Sequence, residues 1–211
     1  MNIFYSGIFG RRAADIAALR CNDACLIDMN QTDAAIIAKQ CKGGKALVLL
    51  SDASGAGLDA LATGFREAGV VWTAVNLYPA MLRIGPLIKA DGVCFECATR
   101  RYLSAPGSDG LMRLEELLRG AAAKQAITFP VVPATVVEMA VSEAMRQIND
   151  VELPAGFILK VDFVDISMTS AVARPLHGCT CCNLTNRNRT PGERFYADLE
   201  SDMLELTGGI A

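Results

Sequence analysis

Two Cys-x-x-Cys pairs, Cys94-Phe-Glu-Cys97 and Cys179-Thr-Cys-Cys182, stand 81 residues apart in a chain of 211. They constrain its fold more than any other feature. A Cys-x-x-Cys turn puts two sulfurs on one side of a tight bend, which suits two corners of a tetrahedral metal site. Two such turns complete a closed four-thiolate shell with no open position for water. The spacing therefore predicts one structural zinc held by Cys94, Cys97, Cys179 and Cys182, contributing folding free energy directly. Any fold for this chain must carry the two turns to one point. Cys181 and the single histidine, His177, are rival ligands beside the second pair. A further ligand so close in the chain would crowd the turn. A redox pair is the other reading of one Cys-x-x-Cys, but thioredoxin-like motifs occur singly, at a strand-to-helix turn. Cys21, Cys25 and Cys41 lie within or beside helical patterns and read as small buried or half-buried residues.

Around these turns the chain alternates short apolar runs with helical patterns. Asn2 to Tyr5, Ala24 to Asp28, Lys45 to Ser51 and Val70 to Leu77 read as strands. Helical spacing covers Arg11 to Leu19, Thr32 to Gln40 and Gly57 to Ala68. Continuous apolar strands separated by helices predict an α/β fold with a mainly parallel sheet covered on both faces. The second half differs. Leu111 to Leu118 and Thr135 to Ile148 are helical, with Pro133 just before the second, where a helix start tolerates it. Gly156 to Ala173 reads as antiparallel strands with one wet face, because Lys160 and Asp162 intrude into an apolar background. Asn183 to Glu193, polar and carrying Pro191-Gly192, reads as an exposed loop, and Phe195 to Leu206 as a last helix.

The first strand runs into Ser6-Gly-Ile-Phe-Gly-Arg-Arg-Ala, where a nucleotide-binding α/β fold keeps its phosphate loop. The spacing here is Gly7-x-x-Gly10-x-x-Ala13, not the full glycine fingerprint, and Phe9 stands where bulk would block a phosphate. Asp28, ending the second strand, occupies the place of a ribose-binding acid, or simply ends a strand. Asp52, after the apolar third strand, is the best-placed carboxylate for magnesium or a general base, or else a helix cap. Gly7, Gly10, Asp28 and Asp52 thus outline a vestigial nucleotide site. With one histidine, neither a histidine-rich metal site nor a serine triad has support, and no catalytic residue is assigned.

The net charge of −3 gives no electrostatic reason to expect nucleic acid. Arg11-Arg12, Arg100-Arg101 and Arg187 to Arg189 are short basic clusters suited to solvated loops. No apolar run reaches the about 18 residues that a membrane span needs. Eight cysteines without an export signal point to a reducing, cytoplasmic compartment.

Trp72 to Arg101, with Ile84-Gly-Pro-Leu-Ile88 leading into Cys94-x-x-Cys97 and Arg100-Arg101, resembles the ThiF-type adenylation fold of ubiquitin-activating-like enzymes. It is most similar to the branch that works in thiazole/oxazole-modified peptide biosynthesis. There a Gly-Pro segment runs into the first zinc knuckle and a histidine precedes the second, as in Pro175-Leu-His-Gly-Cys-Thr-Cys-Cys182. The apolar third strand ending in Asp52 resembles that family's magnesium-binding strand end. The likeness covers most of the chain, with its specific part in about residues 45 to 101 and 157 to 182.

The departures from the pattern carry as much meaning. Adenylating members keep a full glycine loop, an Asn after the strand-end Asp, and an Arg and a Lys between loop and Asp for the ATP phosphates. Here about forty residues separate Gly10 from Asp52, and Ala53 replaces the Asn. The resemblance implies a cyclodehydratase partner protein: a non-adenylating subunit that presents a precursor peptide to an ATP-using YcaO-type partner and stimulates it. Zinc would be its cofactor, and ATP with magnesium would act elsewhere. One ThiF-like domain over 1–211 is expected, with a nucleotide-fold-like half at 1–90 and a zinc-stapled half at 91–211. No N-terminal peptide-recognition domain is evident, so a separate protein could supply leader recognition. A homo- or hetero-oligomer is expected by resemblance alone. The alternatives are a compact ThiF-like adenylyltransferase acting on a peptide or carrier-protein carboxylate, and a zinc-stabilised binding or regulatory domain.

Overall fold

A computed structural model describes residues 1–30, 33–41, 43–51, 58–78, 81–90, 92–103, 132–176, 179, 181 and 182. The segments read from sequence as a helix at 111–118, a loop at 183–193 and a helix at 195–206 lie outside the described residues, as do Asp52 and His177. The described residues form a seven-stranded sheet in the order β2-β1-β3-β4-β5-β6-β7. Its strands are β1 (Asn2–Ser6), β2 (Cys25–Asp28), β3 (Lys45–Leu50), β4 (Val71–Leu77), β5 (Met81–Ile84), β6 (Phe157–Asp162) and β7 (Ser167–Val172). The pairs from β2 to β4 are parallel, and those from β4 to β7 antiparallel. The α/β fold expected from the alternating runs, with antiparallel strands toward the C-terminus, is the one observed.

Among the described residues, five helices cover the sheet: α1 (Gly7–Leu19), α2 (Ala34–Gln40), α3 (Leu58–Glu67), α4 (Phe95–Leu103) and α5 (Ala134–Asn149). One face packs against α1 and α5 through Ile3, Leu47, Leu49, Val75 and Leu77. The other packs against α2, α3 and α4 through Phe4, Val48, Leu50, Trp72 and Ala74. Alternate residues of each parallel strand therefore serve opposite cores, which is why β3 reads as an unbroken apolar run. Asp33 caps α2 by accepting the Ile36 N–H at 3.3 Å, and Pro133 is the N-cap of α5.

Three features lie outside the expectations from sequence. α4 stands where no helix is expected, and it carries Arg100 and Arg101 in its last turn and not in a loop. β5 is a separate strand inside the segment read as one motif. Its four residues take their strand character from the neighbours on both sides, β4 and β6. β7 is exposed on both faces, not on one, since no described helix reaches over the β6–β7 hairpin. The Gly-Pro segment after β5 turns close beneath β6. At Gly85, φ is +118°, and a Cβ there would lie 2.5 Å from the Phe157 carbonyl oxygen, so glycine is required.

Candidate metal centre

The first cysteine pair sits at a helix start. Cys94 immediately precedes α4 and Cys97 lies in its first turn, which places both sulfurs on one helix face beside the free N–H groups of the helix end. Phe95, between them, is anchored in the core. It meets Trp72 at 5.4 Å, Trp72 meets Phe65 at 5.3 Å, and Phe65 meets Phe4 at 5.1 Å between ring centroids. This aromatic ladder fixes the helix end to the sheet. The second pair arrives after β7, by way of Ala173 and Leu176, which pack on the same core.

Cys94, Cys97, Cys179 and Cys182 offer four Sγ atoms that all lie within 4.8 Å of one another. Cys94 Sγ and Cys179 Sγ are 3.8 Å apart, and Cys182 Sγ and Cys97 Sγ 3.6 Å. A tetrahedron with zinc–sulfur bonds of about 2.3 Å has edges of about 3.8 Å, so the spacing of the donors matches that shell. Backbone N–H groups of Cys94, Cys97 and Leu176 donate to the sulfurs of Cys182, Cys94 and Cys97 at 3.1, 3.4 and 3.3 Å. Such donors offset negative charge on thiolates. Burial pushes the Cys94 and Cys182 thiols up. At Cys179 burial also works upward, but hydrogen bonds from the Cys182 and Cys181 backbone and from neighbouring thiols outweigh it, and its pKa falls to about 7. A divalent cation would balance the charge of the thiolates that a four-sulfur shell presents.

Cys181 stands aside from the quartet. Its sulfur accepts a hydrogen bond from Arg66 Nη1, and burial lifts its pKa to about 11. Of the remaining cysteines, Cys41 is buried at the end of α2 and Cys21 half-buried. Cys25 opens β2 and is exposed, against the expectation, because β2 is the sheet edge.

The glycine turn is a different case. The order of the parallel strands makes the gap between β1 and β3 the switch point, where doubly wound sheets bind ligands. The Ser51 hydroxyl and N–H both donate to the Ser6 carbonyl oxygen, at 3.0 and 3.3 Å. A Cβ on Gly7, whose φ is +68°, would lie 1.8 Å from Ser51 Oγ, and one on Gly10 2.4 Å from the Leu49 carbonyl oxygen. Both glycines thus answer to close packing of α1 on β3. Phe9 does not block the turn as its position suggested. It is 5% exposed and faces the core, while Ile8 is 85% exposed. Beside the gap a cavity of about 550 Å³ brings Gly7, Asp28, Arg11 and Arg12 together. Asp28 accepts the Asn30 N–H at 2.9 Å. Arg11 donates to the Tyr5 hydroxyl at 2.8 Å and pairs with Asp15 at 3.1 Å.

No protein-family model and no curated protein matches the chain. Solved structures share its fold. A chain of the E. coli microcin synthetase McbBCD complex superposes with a TM-score of 0.59 and 12% identity, over 85% of this chain and 67% of that one. E. coli MccB gives 0.57 and 12% identity, over 87% and 65%. The heterocyclase TruD gives 0.52 and 16% identity, over 86% of this chain and 27% of TruD. The chain therefore spans about two thirds of the first two and about a quarter of TruD. The fold expected from the Gly-Pro and Cys-x-x-Cys pattern is the fold these proteins share with it.

Proposed function

We propose that this chain is a zinc-containing, non-adenylating scaffold subunit of a peptide heterocyclase. In this reading it presents a precursor peptide to an ATP-using YcaO-type partner and stimulates azoline formation there. Cys94, Cys97, Cys179 and Cys182 would hold the zinc, which supplies folding stability and no reacting group. The single observation that carries the reading is the four-sulfur cluster of Cys94, Cys97, Cys179 and Cys182, all within 4.8 Å of one another, in a chain whose glycine turn lacks the full fingerprint. The fold shared with a microcin synthetase chain and with a heterocyclase supports the same assignment. Reconstitution tests it: precursor peptide, partner and ATP, with and without this chain, followed by mass spectrometry for loss of one water per ring. The expected result is a strong rise in rate when the chain is added. A partner indifferent to the chain overturns the reading.

A second reading, a compact adenylyltransferase, draws on the cavity that holds Gly7, Arg11, Arg12 and Asp28. It requires pyrophosphate release by the chain alone with ATP and a peptide acid. Silence in that assay, with stimulation in the first, favours the scaffold.

A further inference from the structure

The sheet ends at β7 in an edge that nothing among the described residues covers. The Ala173 N–H donates to the Gly156 carbonyl oxygen at 2.9 Å, and the register of β7 on β6 runs on unbroken to Asp162 opposite Ser167. Bonding alternates along an antiparallel ladder, so Ala171, Thr169 and Ser167 turn their N–H and C=O groups toward β6. Those of Met168, Ser170 and Val172 point outward, a row of backbone donors and acceptors open to another strand. Exposed edges are ordinarily blunted by a charge, a proline or a bulge. β7, Ser-Met-Thr-Ser-Ala-Val, has none of these. Apolar surface gathers here too. Of the eight large hydrophobic side chains exposed among the described residues, Val164, Ile166, Met168 and Val172 belong to this hairpin, which marks it as a contact surface.

We propose that β7 is the pairing edge for a second copy of this chain, the two strands running antiparallel about a twofold axis at Ser170. In that register Ser170 meets the partner's Ser170 and Met168 meets the partner's Val172, and every outward N–H and C=O of these residues finds its complement. The side chains agree with the backbone. Met168, Ser170 and Val172 share a face with Val161, Leu159 and Phe157 of β6, and Leu159 and Val161 pack on the core under α1 and α5. Setting Met168 against the partner's Val172 carries that apolar face across the axis. A second copy suits the edge better than a foreign strand because β7 opposes no charge to itself and its residues match about Ser170, Met168 with Val172 and Thr169 with Ala171. The helices leave room. On this face α5 lies over β3, β4 and β5, and five strand spacings, about 24 Å, would separate β5 from its counterpart, against a helix diameter of about 10–12 Å. One strand pair with its flanking side chains is a small interface, which puts the dimer in the micromolar class.

Sedimentation equilibrium of the full chain from about 1 to 200 µM tests the edge. The mass should rise from one chain toward two across that range. Ser170→Lys sets like charges opposite one another at the axis and should weaken association about tenfold or more. Ser170→Glu should do the same, and an equimolar mixture of the two variants should pair at least as tightly as the parent. Position 170 is exposed in the single chain, so the fold accommodates either charge. Ser170→Pro removes one outward N–H and no bond within the chain, and should likewise sediment as single chains. A parent that stays single at every concentration overturns the proposal, as does association that survives all three variants. Two charged variants that remain single when mixed overturn it as well, because only a twofold at Ser170 brings the two substitutions face to face. Neither the metal nor a peptide enters this assay, so either result leaves the scaffold reading to its own test.

Discussion

Glu143 shows how much a single side chain can hold in this fold. Its carboxylate accepts Arg146 Nε and Nη2, both at 2.7 Å, and Gln147 Nε2 at 3.2 Å. Gln147 is fully buried and accepts the Thr73 hydroxyl at 3.0 Å, so one chain of bonds runs from the wet face of α5 into β4. The Arg146 hydrogen bonds hold the Glu143 carboxyl below its ordinary value of 4.5, against the opposing pull of burial. A group held below its unfolded value stabilises above that value and loses the contribution as pH falls through the folded one. Glu143→Gln should therefore cost about 1 kcal/mol near neutral pH, since half-exposed Arg146 leaves the pair partly screened. The gap to the parent, measured by urea unfolding, should stay constant above 4.5 and close in more acid solution. A gap unchanged in strong acid would assign the effect to geometry and not to charge.

At the scale of elements, the contact between α1 and β3 decides what the first turn can do. Gly10 presses on the Leu49 carbonyl with no room for a Cβ. Alanine is the better helix former by about 1 kcal/mol, yet Gly10→Ala should destabilise the protein by about 2 kcal/mol, because the helix must lift off the strand. Denaturant unfolding reads this directly, and a stabilised variant would return Gly10 to the role of a phosphate-loop residue. The same scale explains what was legible. The continuous apolar run of β3 and the helical spacing of α5 are local periodicities, and both elements lie within a residue of their expected bounds. β5 was not legible, since four residues carrying Arg83 become a strand only between β4 and β6.

For the molecule as a whole, the cysteine cluster joins the two distant parts of the chain. On the zinc reading, elemental analysis should find one zinc per chain, and Cys94→Ser or a strong chelator should remove it and lower the melting temperature by many degrees. Hydrogen exchange should then show protection lost first in α4 and at Leu176, whose N–H donates to Cys97, while β1, β3 and β4 stay protected. A metal-free protein with unchanged melting would remove the zinc. Among the described residues no helix is long and apolar enough to cross a membrane. The sequence by itself determined which sulfurs could meet and that a sheet of continuous apolar strands would form, because ligand spacing and the periods of helix and strand are properties of neighbours in the chain. Only the tertiary structure decided that Ser51 lies close against Gly7, that Phe9 faces inward, and that Asn76, Arg83 and Lys160 form one row. Those facts depend on register and close packing between segments far apart in sequence, and no local pattern encodes the partner that will lie alongside.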